Sequence, residues 1–178
     1  MLYVNLFQYF CPVKNDWSMR KEQFICPYEV YDNLAELDPK DVELLRLAHE
    51  ATAHSYAPYS KFHVGAAVRM SNGETITGCN IENAAYPSGL CAERVALFAA
   101  QAKFPDVPIV ALAIVAHSET KTLTEPAAPC GACRQVMLEA EQRSKRPMRV
   151  ICQGETGPIM AFDGIGSLIP FVFQNTLL

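Results

Sequence analysis

Long apolar runs are missing from this sequence. None approaches the roughly 20 residues a membrane-spanning helix requires, although half of the 178 residues are hydrophobic. Positive charge is also sparse: 15 Lys and Arg against 19 Asp and Glu give a net charge of −4. With no cluster of Lys and Arg to form a phosphate-binding face, nucleic acid is not an expected partner. No membrane partner is expected either. Residues 1–12 are apolar and aromatic but lack a basic leader and a small-residue cleavage site. A secretory signal is therefore not expected, and the chain is read as cytoplasmic. There is no internal repeat and no low-complexity linker. The ordinary apolar and charged fractions at this length instead describe one compact domain with a sizeable core.

Residues 1–38 read as an N-terminal extension, rich in aromatics and without a clear period. They contain a candidate edge strand over 24–31, and Met19 is a candidate alternative start. Residues 39–178 read as the functional domain. Asp38-Pro39 opens a helix to about residue 56, since Pro suits the first helical position; Val42, Leu45, Ala48 and Ala53 fall roughly on one face. Pro58 breaks it. A strand over 62–70, the turn Ser71-Asn72-Gly73 and a return strand over 74–80 make a hairpin. A helix over 90–103 follows, then the nearly unbroken apolar run 107–116, the mark of a central strand covered on both faces. A helix over 130–143, strands over 148–153 and 158–162, and an apolar tail expected to pack complete the chain. This order predicts a three-layer α/β/α domain with a mixed sheet of about five strands.

The seven cysteines are an odd number. Cys130-x-x-Cys133 with a distant third, Cys91, suggests metal or redox chemistry rather than a disulfide framework. Cys11, Cys26, Cys79 and Cys152 read as small buried hydrophobes. Both Cys91 and Cys130 fall at expected helix starts, where free N–H groups and the helix dipole favour thiolate. Three thiolates make a soft, anionic site suited to Zn²⁺, and three protein ligands leave a fourth position for water. Glu93, two residues beyond Cys91, can reach that water without binding the metal. The set therefore fits metal-assisted attack on an sp² carbon with proton shuttling. Two other readings stand beside it. A fourth ligand from Cys79, Cys152 or His117 would close the site into a structural one. A redox pair is the weaker alternative, because no thioredoxin-like setting surrounds Cys130 and Cys133.

Cys91-Ala92-Glu93-Arg94, the segment 129–135 and Gly78-Cys79-Asn80-Ile81-Glu82-Asn83-Ala84 closely resemble the small zinc-dependent cytidine deaminases, the zinc-deaminase signature with Cys in place of His as first ligand. The likeness spans roughly residues 39–173. It implies one Zn²⁺ per subunit on Cys91, Cys130 and Cys133, with Glu93 as proton shuttle and Arg94 backing the thiolates. It implies that Asn80 and Glu82 bind the ribose hydroxyls, that Phe62 packs on the pyrimidine, and that backbone groups of Ala92 and Ala128 read the base. It further implies a homotetramer with shared sites, to which Tyr86 and Phe173 contribute. The activity implied is hydrolysis of free cytidine and deoxycytidine to the uracil nucleosides and ammonia. Alternatives are a deaminase of another cytosine compound, such as a nucleotide or a blasticidin S-like antibiotic, a non-catalytic zinc-stabilised binding module, or a polynucleotide editor. Two departures stand out: the long extension, and His63 where the family commonly has Pro. His63 is expected to be exposed and without catalytic work.

Overall fold

The structure is a computed structural model that describes residues 20–173; Met19, Cys11 and the end of the apolar tail lie outside the described residues. In chain order the elements are β1 (Glu29–Tyr31), α1 (Pro39–Thr52), β2 (Phe62–Met70), β3 (Thr75–Cys79), α2 (Ala92–Lys103), β4 (Ile109–Ser118), α3 (Gly131–Ser144), β5 (Arg149–Gln153) and β6 (Ile159–Asp163). The strands form one mixed sheet in the order β1-β6-β5-β4-β2-β3, in which β4 runs parallel to β5 and antiparallel to β2. Among the described residues, no helix is long and apolar enough to cross a membrane.

Each element follows from its local chemistry. Asp38 caps α1 by accepting from Lys40 N at 2.8 Å, with Pro39 pre-set at the first helical position. The β2–β3 turn places Gly73 at φ 90°, a conformation that costs an L side chain energy. Asn72 Oδ1 accepts from Glu74 N within that turn. Strand β4 is buried over most of its length, because helices cover both faces.

The covering is asymmetric. Leu44, Leu45 and Ala48 of α1 pack on Ala67, Ala113, Val115 and Ile151 at one face of the sheet. Leu97 of α2 and Met137 of α3 pack on Val68, Leu112 and Ile114 at the other. The hairpin lets the helices approach its bare backbone. A Cβ on Gly65 would lie 1.9 Å from Ala48 O of α1, and one on Gly78 would lie 2.6 Å from Ala96 N of α2. These contacts seat the N-terminus of α2 beside the end of β3.

The predicted three layers are present, with six strands instead of about five. The sixth is β1, a three-residue piece of the candidate edge strand at 24–31, antiparallel to β6. Arg149 holds it: the guanidinium donates to Glu29 at 2.8 Å and to Tyr31 Oη at 3.0 Å, and also pairs with Asp41 and Asp163. Helix α1 stops at Thr52, short of residue 56, because Tyr56 leaves to bridge Ile81 beyond β3. Its buried face includes Asp41, neutralised by Arg69 and Arg149, while Ala53 is exposed. Cys152 is buried as expected. Cys26 is exposed, its thiol donating to Ser167 O, and Cys79 is half-buried against His54 O. In the tail Leu168 is buried and Ile169 and Val172 pack on the core, but Phe171 and Phe173 are exposed.

Candidate active site

Cys91 and Cys130 occupy the residues immediately before α2 and α3, and neither side chain caps its helix. Both sulfurs are therefore left to meet each other. Cys133, one turn into α3, is fully buried. The Cys91 and Cys130 sulfurs lie 3.8 Å apart, Cys130 and Cys133 3.4 Å, and all three ligand atoms fall within 4.8 Å of one another. Two helix N-termini thus point at one cluster of sulfurs, where their dipoles stabilise negative charge. The Cys133 thiol, then the Arg94 guanidinium at 3.8 Å and Cys130, bring the Cys91 thiol down to about 5.

Glu93, in the first turn of α2, is 5% exposed. Burial first, and then the negative charge of Cys91, raises its carboxyl above the usual carboxylate range. A carboxyl so placed is suited to take up a proton and pass it on. Arg94 turns towards the thiolates, and its Nε is buried without a hydrogen-bond partner.

Above the cluster opens a pocket of about 800 Å³, a size suited to a small molecule. Phe62, Asn80, Glu82, Tyr86, Ala128, Cys91, Glu93, Arg94 and Cys130 all line it. Asn80 Oδ1 accepts from Val64 N at 2.8 Å and its Nδ2 donates to Phe62 O at 2.9 Å, so the amide continues the β2 ladder. Glu82 Oε2 accepts from the N–H groups of Tyr59 and Ser60 at 2.9 and 3.2 Å. The Ser60 hydroxyl, with those two N–H groups, holds the Glu82 carboxyl below the usual range.

Two of the predicted substrate-contacting residues are not brought to the pocket wall. Ala92 is completely buried between Cys91 and Glu93. Phe173 stands 61% exposed, away from the pocket lining of its own chain, with its carbonyl accepting from Gln135 Nε2. His63 departs from its expected exposure: its side chain is 16% exposed, between Ser55 and Glu119. Sequence reasoning missed Tyr59 and Ser60, which line the pocket and anchor Glu82. Their only sequence signal was Pro58, which marked a helix break.

The donor set fits zinc. Tetrahedral Zn–S bonds of about 2.3 Å separate neighbouring sulfurs by about 3.8 Å, close to the spacing found here. Among the described residues the ligand group consists of these three cysteines alone. The three candidate closing ligands of a structural site lie outside the group: Cys79 is held by His54 O, Cys152 is buried in the core, and His117 rests against the His63 ring. Three cysteine sulfurs beside one buried carboxyl group, at the foot of an open pocket in an α/β/α protein, define a metal-assisted hydrolase centre.

Comparison with known proteins gives the family. The model for "cytidine and deoxycytidylate deaminase zinc-binding region" matches residues 38–147, and the chain belongs to that family. It is 50% identical over 96 residues to a cytidine deaminase of Halalkalibacterium halodurans, covering 54% of this chain and 68% of the relative. The structure is similar to the cytidine deaminase of Burkholderia pseudomallei at 40% identity and TM-score 0.64, covering 74% of this chain and 97% of that one. It is also similar to the cytidine deaminase of Mycobacterium tuberculosis at 34% identity and TM-score 0.59, covering 77% and 99%.

Proposed function

We propose that this protein hydrolyses free cytidine and deoxycytidine to uridine and deoxyuridine with release of ammonia. The observation that carries the reading is the buried Glu93 carboxyl beside the three-cysteine cluster, facing a pocket walled by Asn80 and Glu82. A zinc ion on Cys91, Cys130 and Cys133 would supply Lewis acidity and a water ionised at neutral pH.

The chain's own groups perform the proton chemistry. Glu93 takes the proton of the attacking water, passes it to ring N3 as C4 becomes tetrahedral, and supports proton delivery to the departing amine. Its burial keeps bulk water from competing for that proton. Arg94 offsets negative charge on the thiolates, and Phe62 packs against the pyrimidine. The backbone at Ala128, on the pocket wall, reads the base. Asn80 and Glu82 each keep hydrogen-bonding capacity beyond their backbone contacts, and that capacity serves the ribose hydroxyls. A carboxylate at this wall repels a phosphate, which favours a nucleoside over a nucleotide.

The same reading makes the protein a cytoplasmic homotetramer with one zinc per subunit, Tyr86 and Phe173 completing sites shared between subunits. It divides the chain into an extension at 1–38 and the deaminase domain at 39–178. Identity to cytidine deaminases favours it over a blasticidin S-like substrate. The test is a panel of cytidine, deoxycytidine, deoxycytidine monophosphate, cytosine and blasticidin S, followed by ammonia release and loss of cytosine absorbance. The two nucleosides should turn over fastest. Faster turnover of the monophosphate or of blasticidin S would replace this reading, and no turnover of any compound would leave a zinc-stabilised binding module.

A further inference from the structure

His63 follows Phe62 on β2, so their side chains leave opposite faces of the strand. Phe62 enters the pocket, whereas His63 reaches to both loops that flank it. Its Nδ1 meets Ser55 Oγ, and its Nε2 meets Glu119 Oε1 at 2.9 Å. A neutral imidazole satisfies both in one direction: the Ser55 hydroxyl donates to Nδ1 and Nε2–H donates to the carboxylate. The ring rests 4.7 Å, centroid to centroid, from His117, its cross-strand partner on β4.

The two partners lie on the segments that build the pocket. Ser55 belongs to the connection at 53–61. There Tyr56 N donates to Asn80 O, Glu82 N donates to Tyr56 O, and Tyr59 and Ser60 donate to the Glu82 carboxylate. Glu119 opens the connection at 119–130, which carries Ala127, Ala128 and Cys130 to the pocket. Among the described residues, one backbone bond joins the two segments directly at this end, Glu119 N to Lys61 O at 3.0 Å. Lys61 sits in the left-handed region at φ 56°, so the backbone there is held against its own preference.

We infer that His63 is a positioning residue, a side-chain link that, beside the exposed Lys61–Glu119 ion pair at 4.0 Å, holds the two pocket-forming connections together and thereby sets the placement of Glu82. It does not touch the pocket. Its effect reaches substrate through Ser55, the segment to Ser60, and the carboxylate those N–H groups hold. The kinetic part of this inference rests on the nucleoside reading above; the structural part does not.

The test compares wild type, His63→Ala, His63→Gln, Glu119→Gln and the double variant His63→Ala/Glu119→Gln. Amide hydrogen exchange is first followed at Tyr59 and Ser60 in protein without substrate. Exchange should speed by about 10-fold or more in His63→Ala, as loss of one such link predicts, and His63→Gln should recover part of the protection. With cytidine, His63→Ala should raise KM by about 10-fold, leave kcat within about twofold and keep zinc content unchanged. The double variant should lose less than the sum of the two single changes, because both act on the His63–Glu119 contact, while Glu119→Gln additionally removes the exposed Lys61 ion pair. Unchanged exchange at Tyr59 and Ser60 overturns the inference, as does additive loss in the double variant. A fall in kcat together with zinc loss assigns His63 to the metal region and overturns it too. If wild type does not deaminate cytidine, the functional reading fails while the exchange arm still decides the link.

Discussion

At the scale of single residues, the chemistry was concentrated in short spacings and was therefore legible. Cys91 and Glu93 share one helix start, Cys130 and Cys133 another, and the fold needs only to bring two helix N-termini together. His63 was not legible, because its partners stand 8 and 56 residues away and only the β2–β4 register brings Glu119 to it. Glu82 was legible as a polar pocket residue but not as the anchor of Tyr59 and Ser60. The metal site predicts a separation of roles. Glu93→Gln should keep zinc and fold while losing nearly all turnover, since it removes the proton carrier and no sulfur. Cys130→Ala should lose metal, and thermal stability with it, because metal affinity supports the fold. Zinc content, a thermal melt and a turnover assay on the same preparations decide this; substantial turnover by Glu93→Gln refutes the mechanism. Glu82→Gln should raise KM for cytidine on the order of 10-fold or more with zinc content unchanged, because it weakens both the ribose contact and the charge-assisted hold on Tyr59 and Ser60. An unchanged kcat/KM would leave Glu82 as an anchor of the loop only.

At the scale of elements, the hairpin β2–β3, the central strand β4 and the helices α2 and α3 were recovered within about two residues from periodicity and turn chemistry. Boundaries failed where tertiary partners took over. Tyr56 is drawn out of the α1 pattern by the bridge to Ile81, and β1 is limited to the three residues that β6 pairs. Nor does the pattern of α1 explain why Asp41 is buried, since its two arginine partners come from β2 and β5. The glycines in the hairpin give a sharp test of how closely the layers meet. Gly65→Ala forces a methyl to within 1.9 Å of Ala48 O, a backbone atom that can yield only if α1 moves. It should cost about 3 kcal/mol or more, at the upper end of overpacking changes. Gly73→Ala meets nothing within 4 Å and bears only the penalty of φ 90°, about 1 kcal/mol. Denaturant midpoints at equal slope measure both; equal losses would mean that α1 is not seated on bare backbone at Gly65.

At the scale of the whole molecule, the layer order followed from the sequence of helices and strands, whereas the outer surface did not. Tyr56, Tyr59 and Tyr86 stand more than half exposed, the last two with rings 6.1 Å apart at the pocket wall. Phe171 is 90% exposed and Phe173 61%. Large aromatics left exposed in this way favour a covering partner, and the proposed homotetramer supplies one. On that reading Phe173, which its own chain leaves outside the pocket, stacks over the pyrimidine in a neighbour's site, a contact worth about 1–3 kcal/mol by analogy with base stacking. Cys91, Glu93, Cys130 and Cys133 meanwhile act within one chain. Phe173→Ala alone should raise KM by about 10-fold or more, and Glu93→Ala alone should be inactive. Co-refolding the two variants places an intact Glu93 and an intact Phe173 from different chains in some of the sites. Activity should then exceed that of the two variants refolded separately and mixed. Native mass spectrometry establishes whether mixed oligomers have formed. Mixed oligomers with no gain would confine Phe173 to packing within its own chain, where its carbonyl already accepts from Gln135. A monomer at assay concentration would remove the shared site altogether, and the exposed aromatics at the pocket mouth would then need another occupant.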